Sequence, residues 1–372
     1  MLTSGEMRTV AIYSPDRHIL FDPEIAERDG IGGGLTARLR LAAGLARQGC
    51  KVTLVANLRR RETRKGIEYI PLDAAGSLSA DIIILNTTGS GFDLSPVRRF
   101  RMDTALKLVW INNTAKIQGL DSIEWDLLVT PSKYVQQVAS KEWRISAGKL
   151  RVIPNGVPDN PLMNRLLRPG RDPFRLIYTS HPSKGLNASV QLVQRLRQHD
   201  TRFHLHVFGG NRLWGQDEMH FDASPGVVWR GLAGQIRLAR QLRKATFSIH
   251  LQEFEEPFGI ALVEAMSAGC IVVASSVGAF PELVRDGVDG VLVQGRATDP
   301  HTVNIAAQRM LDLMNDPAKR LSMQQRATEN PLPWDAVARK WMDLWDLTLQ
   351  KKQPRDIPSE ASQMFNDDGR DG

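Results

Sequence analysis

Two carboxylates, Glu256 and Glu264, are separated by seven residues in a stretch rich in small and apolar residues. The apolar spacing after Gly259 predicts an amphipathic helix, which Gly269 ends. The start of a helix offers free backbone N–H groups and a partial positive charge, which suit a diphosphate. Glu264 lies more than one turn inside this helix, where a carboxylate can accept hydrogen bonds from the vicinal hydroxyls of a ribose. Glu256 lies in the preceding loop and can hold a second polyol, so the stretch predicts a grip on both ends of a nucleotide sugar.

Two glutamates at this spacing are more often solvated side chains, but here three short motifs occur together in order. They are Glu256-Pro-Phe-Gly259, Glu264-Ala-Met-Ser-Ala-Gly269 and Pro281-Glu-Leu-Val284. The segment therefore resembles the nucleotide-sugar site of glycosyltransferase family 4, whose signature is two glutamates separated by seven residues. The resemblance implies a retaining enzyme of the GT-B architecture, in which two doubly wound Rossmann-like domains face each other across a cleft.

The resemblance extends over about residues 8–348. It implies transfer of a sugar from a nucleotide-diphosphate donor to a hydroxyl acceptor, with retention and without an essential metal. Stabilising the leaving diphosphate then needs cations and backbone N–H donors. Lys184 matches the family lysine that touches the diphosphate, although an exposed lysine before a glycine is also a common start of a helix. The resemblance assigns catalysis to Lys184, Glu256 and Asn112, and donor binding to Gly33, Gly34, Gly209, Gly210, Arg230, Pro257, Phe258, Gly259, Ile260 and Glu264.

Two positions depart from the family pattern. Family members usually carry an arginine five positions before the lysine, and here that position is Thr179. One phosphate cation is therefore missing, unless His181 or Arg230 replaces it. Many members also place a histidine near the donor sugar where this chain has Asn112, which can hydrogen-bond a hydroxyl but does not titrate. His18 and His181 are loose alternatives for that histidine, and the departures leave open whether activity is reduced or abolished.

The length of 372 residues exceeds one ordinary core and predicts two domains. The hydrophobic content of 42% is typical of a soluble globular protein, and no apolar run reaches the roughly 18 residues of a membrane helix. Residues 1–7 lack the pattern of a secretory signal, which predicts a cytoplasmic protein. Cys50 and Cys270 are expected to be buried free thiols. No Cys/His cluster has metal-ligand spacing, and no cofactor is expected besides the nucleotide sugar, which is a substrate.

The chain carries 48 basic and 41 acidic residues, a formal charge of +7. This balance favours phosphate-bearing ligands or an anionic membrane face without choosing between them. The densest basic clusters are Arg59–Arg61 with Arg64 and Lys65, and Arg98–Arg99 with Arg101. Solvated loops are the favoured interpretation of both, and peripheral contact with an anionic acceptor or with lipid headgroups at the inner face of the membrane is the alternative. Nucleic acid is not an expected partner, because no RNA- or DNA-reading motif accompanies the charge.

Strand and helix patterns alternate through both halves of the chain, which indicates an α/β architecture. The predicted units are an acceptor-side domain over residues 1–160, a nucleotide-sugar domain over residues 161–333, a helix over residues 334–350 that crosses back to the first domain, and a disordered tail over residues 351–372. The glycine-rich loop at residues 30–34 follows the first strand, at the edge where open α/β sheets bind ligands. A flexible surface loop explains these glycines equally well, whereas the resemblance places them near the donor diphosphate and the acceptor.

Three functions fit these patterns. The first is an active retaining glycosyltransferase that assembles surface polysaccharide or glycolipid on a saccharide or lipid-linked acceptor. The second is a catalytically weak relative that binds a nucleotide sugar or a glycan as an accessory protein. The third is another GT-B enzyme, such as an epimerase or a phosphorylase, and the joint presence of Lys184, Glu256 and Glu264 argues against it. The motifs do not specify the donor base, the sugar, the acceptor, the linkage or the oligomeric state.

Overall fold

The computed structural model describes residues 7–88, 91–158, 170–217 and 222–352 and folds them into two α/β domains. Each domain is built on its own sheet, and an apolar layer lies against each face of both sheets. In the first strand Val10 and Ile12 point into one layer, whereas Ala11 and Tyr13 point into the other, because successive side chains of a strand alternate. The predicted α/β class with two doubly wound domains is confirmed.

The N-terminal domain contains an eight-stranded sheet and a separate two-stranded sheet. Its strands are β1 (Thr9–Tyr13), β2 (Lys51–Ala56), β3 (Glu62–Arg64), β4 (Ile67–Pro71), β5 (Ser77–Ser79), β6 (Ile82–Thr87), β7 (Arg101–Asp103), β8 (Leu106–Ile111), β9 (Leu127–Thr130) and β10 (Leu150–Val152). The larger sheet has the order β10-β9-β8-β6-β1-β2-β4-β3, with β3 antiparallel to β4 and the other pairs parallel. The α-helices of the N-terminal domain are α1 (Ile25–Arg28), α2 (Gly33–Arg47) and α3 (Lys133–Lys141).

The C-terminal domain contains a six-stranded parallel sheet. Its strands are β11 (Asp172–Tyr178), β12 (His204–Val207), β13 (Val227–Trp229), β14 (Ala245–His250), β15 (Ile271–Ser275) and β16 (Gly290–Val293). Their order in the sheet is β13-β12-β11-β14-β15-β16. The α-helices are α4 (Leu186–Arg197), α5 (Gln235–Leu242), α6 (Ile260–Ser267), α7 (Phe280–Leu283), α8 (Pro300–Asn315) and α9 (Pro317–Ala327).

The last helix, α10 (Trp334–Lys352), packs on α2 of the N-terminal domain. Trp334, Trp341 and Trp345 are fully buried in the N-terminal core, and Trp341 meets Trp110 edge to face at 5.6 Å between ring centroids. The helix is two residues longer than predicted, because Lys352 reaches the Asp126 carboxylate at 2.6 Å. The rest of the tail predicted to be disordered, residues 353–372, lies outside the described residues.

Two sequence expectations concern segments between the main elements. The cluster from Arg59 to Lys65 is not wholly a solvated loop: β3 lies within it, and ion pairs join Arg61 to Glu68 and Arg64 to Glu24. The boundary predicted at residue 160 lies within residues 159–169, outside the described part of the chain.

Within the described ranges, every helix is too short or too polar to span a bilayer. Cys50 and Cys270 are buried free thiols, as predicted.

Candidate active site

A cleft of about 670 Å³ lies where the carboxyl ends of the strands of the two sheets meet. Its N-terminal wall follows the ends of β1, β6 and β8 and includes His18, Gly30, Ile31, Gly32, Gly33, Gly34, Thr88, Asn112 and Asn113. Its C-terminal wall follows the ends of β11, β12 and β14 and includes Thr179, His181, Lys184, Trp214, His250, Gln252, Glu256, Pro257, Phe258, Gly259, Ile260 and Glu264. Most of the predicted site residues, although scattered through the sequence, therefore share one cavity.

The N-terminus of α6 opens into this cleft at Gly259. Gly259 has a φ of +101°, and a Cβ atom there would lie 2.6 Å from the Phe280 ring, so the turn requires glycine. No side chain caps this end of the helix, and Gly259, Ile260 and Ala261 line the cavity. Backbone N–H groups without intrahelical partners and the helix dipole together favour an anionic group at this point.

Lys184 and Glu256 form an ion pair inside the cleft. The Lys184 Nζ donates to Glu256 Oε1 at 3.0 Å and to Oε2 at 2.7 Å, and Gln252 Nε2 donates to Oε2 at 3.0 Å. Burial alone would raise the pKa of Glu256, but the Lys184 charge and the hydrogen bonds from Gln252 and Lys184 outweigh it and lower the pKa. Glu256 is therefore an ionised, fully oriented acceptor. Gln252 follows β14 directly, and its place at the carboxyl end of a strand is the signal by which it could have been predicted.

Glu264 is buried on α6, with 4% of its surface exposed. Burial raises the pKa of its carboxyl group to about 7, and the Arg40 charge and a hydrogen bond from Gln235 oppose this rise. The Oε1 atom has no hydrogen-bond partner. A buried acceptor at a cavity wall, with a proton exchanging near neutral pH, is ready to accept hydrogen bonds from the hydroxyls of a ligand.

Among the described residues, five buried polar atoms of side chains that line this cleft have no hydrogen-bond partner. They are His18 Nδ1, Asn112 Nδ2, Asn113 Oδ1, Thr179 Oγ1 and Glu264 Oε1. The second polar atom of the Asn112 side chain, Oδ1, does have a partner, because it accepts from Asn155 Nδ2 at 2.9 Å. An unsatisfied buried polar group costs about 1–3 kcal/mol, so polar atoms of a ligand or of water that enter this cavity gain hydrogen bonds there.

Three predicted donor-binding residues are not brought to the cleft. Gly209 and Gly210 are buried beside it, and a Cβ atom on Gly209 would lie 2.0 Å from the Ser180 carbonyl oxygen, so close backbone packing explains this glycine. Arg230 is exposed, and its Nε donates to His206 Nδ1 at 3.3 Å, which holds the side chain away from the cavity. In this structure Arg230 does not line the cavity, and its role as a phosphate cation stays a prediction.

Two histidines of the C-terminal wall have defined environments. The His181 ring stacks on Trp214 at 3.7 Å between centroids, with 7° between the planes. His250 Nε2 lies 2.9 Å from Ser248 Oγ, and burial lowers its pKa to about 4, which leaves the imidazole neutral. The sequence reasoning named His181 but missed His250, which ends β14 and faces the cavity.

Comparison with known proteins identifies the fold and shows which family part of the chain resembles. Residues 174–316 match the family described as "Glycosyl transferases group 1". The Anabaena protein HepE, solved in complex with UDP and glucose, has a TM-score of 0.60 to this structure at 16% identity, covering 91% of this chain and 100% of its own. The chain has the GT-B fold, and its residues 174–316 are similar to the group 1 glycosyltransferases. The GT-B resemblance seen in the sequence is thus confirmed, whereas membership of family 4 stays a prediction.

Curated relatives match parts of the chain. The D-inositol 3-phosphate glycosyltransferase of Streptomyces avermitilis is 33% identical over 131 residues, which are 35% of this chain and 27% of that protein. The phosphatidyl-myo-inositol mannosyltransferase of Mycolicibacterium smegmatis is 28% identical over 225 residues, 56% of this chain and 55% of its own. The chain thus spans about half or less of the length of these relatives.

Proposed function

We propose that the protein is a retaining glycosyltransferase that moves a hexosyl group from a nucleoside-diphosphate sugar to a hydroxyl acceptor. The observation that carries the proposal is the content of one cleft, which combines an uncapped helix N-terminus, a lysine and five unpartnered buried polar atoms. The helix end and the lysine suit a diphosphate, and the polar atoms suit sugar hydroxyls. A nucleotide sugar joins both chemistries in one molecule.

The N-terminus of α6 and Lys184 stabilise the charge that develops on the leaving diphosphate, so that no metal is essential. Lys184 gives up one of its two hydrogen bonds to Glu256 and donates to a phosphate oxygen instead. Glu256 then accepts a hydrogen bond from the transferred sugar, while Glu264 accepts from the ribose hydroxyls. Asn112 donates from its free Nδ2 to a hydroxyl of the donor sugar.

The acceptor enters from the N-terminal wall, where His18, Asn113 and Thr88 offer polar atoms. A saccharide or lipid-linked acceptor is supported by the names of two relatives, the phosphatidyl-myo-inositol mannosyltransferase and a Xanthomonas campestris mannosyltransferase whose name gives a cellobiosyl-diphosphopolyprenol acceptor. The exposed arginines Arg98, Arg99 and Arg101 are the better candidates for contact with an anionic surface, because ion pairs within the chain engage Arg61 and Arg64.

A second candidate function is binding of a nucleotide sugar without transfer. The observation that favours it is Thr179, which lines the cleft where the family pattern has an arginine, so that Lys184 faces the diphosphate without a second cation in the described part of the cleft. This candidate predicts saturable nucleotide binding and no product.

Incubation with a panel of nucleotide sugars and polyprenyl-linked or inositol-containing acceptors, followed by mass spectrometry, tests both functions. The transferase predicts a glycosylated acceptor with the anomeric configuration of the donor, and about a hundredfold or greater loss of product in Glu256→Gln. Saturable donor binding without product or hydrolysis across the panel supports the accessory function instead. Inversion of the anomeric configuration contradicts the retaining mechanism.

A further inference from the structure

A carboxylate of the C-terminal domain binds the N-terminus of a helix in the N-terminal domain. Glu282, on α7, accepts from the backbone N–H of Lys133 at 2.9 Å and from that of Tyr134 at 2.5 Å, both in the first turn of α3. These N–H groups have no partner within their own helix, and the positive end of the helix dipole favours a carboxylate. The contact joins residues 149 positions apart and lies between the two domains.

Two more side chains at the start of α3 reach the loop that carries Glu256. Ser132 accepts from Val135 N as the N-cap of α3 and donates its hydroxyl to the Pro257 carbonyl oxygen at 2.7 Å. The Tyr134 side chain lies close to that of Glu255, and burial and this carboxylate both raise the pKa of the tyrosine hydroxyl. The residues on both sides of Glu256 therefore contact the N-terminal domain.

The opposite side of the same loop is held by the segment that leads into α7. Ala279 N donates to the Glu256 carbonyl oxygen at 2.9 Å. A Cβ atom on Gly278 would lie 2.4 Å from Glu256 N, so the two backbones pack directly against each other. Helix α7 thus contacts Glu256 at one end and, through Glu282, the N-terminal domain at the other.

We propose that Ser132, Tyr134 and Glu282 form an interdomain latch that positions Glu256 for transfer. The three contacts require the present orientation of the domains, so opening the cleft breaks them together and releases the Glu256 loop on its N-terminal-domain side. Ser132 is buried, whereas Glu282 is exposed to solvent. An exposed hydrogen bond of this kind is weak enough to break and reform as substrate enters and product leaves.

The latch makes domain closure and the alignment of Glu256 a single event. These residues are positioning residues, since they act through the loop and do not line the cleft themselves. The consequence for turnover rests on the proposed function, whereas the effect of the latch on domain orientation does not.

Small-angle X-ray scattering of the full chain without ligand tests the latch independently of catalysis. Glu282→Ala is expected to have a larger radius of gyration than the wild type, and Glu282→Gln, whose amide oxygen still accepts from an N–H group, to fall between them. The matched control is Glu253→Ala, because the Glu253 carboxylate bonds to Thr298 and Arg296 of its own domain. A radius unchanged in Glu282→Ala, with native circular dichroism, overturns the latch.

The pair of Tyr134 and Glu255 provides a second measurement that remains valid if Glu282→Ala folds poorly. Tyr134→Phe and Glu255→Ala are each expected to enlarge the molecule, and the double variant no more than the larger single change, because both remove the same contact. Additive changes, or none, contradict the contact.

Where the wild type turns over, Glu282→Ala is expected to lower kcat about tenfold and to change the Michaelis constant for the donor less than about threefold. Glu282→Gln should restore most of kcat. An equal loss of kcat in Glu253→Ala contradicts the positioning role. Absence of wild-type turnover contradicts the proposed function and leaves the scattering measurement to decide the latch.

Discussion

Lys184 and Glu256, 72 residues apart in the chain, are joined by two hydrogen bonds in the cleft, at 3.0 and 2.7 Å from the lysine Nζ to the two carboxylate oxygens. The pair is largely buried, with 25% and 12% of the side chains exposed. Each group therefore orients the other before a ligand arrives, and under the proposed function a donor phosphate competes with Glu256 for the ammonium group.

Lys184→Ala is expected to lower the maximal rate about a hundredfold while raising the Michaelis constant of the donor only severalfold, since the lysine acts on charge that develops in the transition state. Steady-state kinetics measure both constants, with the nucleotide sugar that the panel experiment identifies as the donor. Lys319→Ala, which removes an exposed lysine on α9, is the control. Near-normal turnover in Lys184→Ala shows that other groups carry the charge of the leaving group.

Glu264→Ala is expected to weaken binding of UDP or GDP by about 1.5–3 kcal/mol, the range for a hydrogen bond to a charged group. Isothermal titration calorimetry measures the affinity, and Glu329→Ala, which removes an exposed glutamate of the same domain, is the control. An unchanged affinity in a folded Glu264→Ala variant excludes Glu264 as the group that binds the ribose.

The same carboxyl group makes stability depend on pH. Burial raises its pKa from 4.5 to about 7, so the folded state binds more protons than the unfolded state between these values. The free energy of unfolding therefore falls as the pH rises from about 4.5 to about 7, by about 3 kcal/mol in total, and this contribution then stays constant. Urea unfolding at pH 5 and pH 8 should show this loss in the wild type and not in Glu264→Gln. Equal pH dependence in both proteins contradicts the assignment.

Thr179→Arg is expected to tighten binding of nucleoside diphosphates about tenfold, because it places a second cation in a cleft where the Thr179 hydroxyl has no partner. Calorimetry with UDP and GDP, with Thr179→Ser as the control for side-chain shape, measures the gain. If binding weakens, another group already fills the space at this wall. If the wild type shows no turnover and neither Thr179→Arg nor Asn112→His produces any, the result supports the accessory function.

Gly185→Ala is expected to destabilise the protein more than Gly49→Ala. Both glycines have left-handed backbones, with φ of +86° and +89°, and this alone costs an alanine about 1–3 kcal/mol. A Cβ atom on Gly185 would also lie 1.6 Å from the Leu251 carbonyl oxygen, whereas one on Gly49 meets nothing within 4 Å. Urea unfolding of the two variants gives the difference, and equal losses mean that the Gly185 contact relaxes freely.

The local elements of the site could be predicted from the sequence because their signals lie within a few residues. The apolar spacing after Gly259 and the stop at Gly269 give the bounds of α6 almost to the residue. Asn112, Thr179 and Glu256, which the family resemblance singled out, all line the one cleft.

The direction of a side chain beyond a strand end depends on partners that are distant in the sequence. Arg230 follows β13 as predicted but bonds to His206, and the phosphate role that its position suggested is not supported by the geometry. Glu282 belongs to a motif that was recognised, yet its contact with α3 depends on how two whole domains are oriented. Neither outcome is encoded in spacing or hydrophobic pattern.

The crossing of α10 onto the N-terminal domain gives that domain a core drawn from both ends of the described chain, since Trp110 packs against Trp341. The C-terminal sheet, in contrast, is contiguous from Asp172 to Val293. During synthesis on the ribosome the second domain can fold as soon as it emerges, while the first waits for a helix translated almost 200 residues after β10. We therefore expect the N-terminal domain to complete its core after the C-terminal domain, although it is made first.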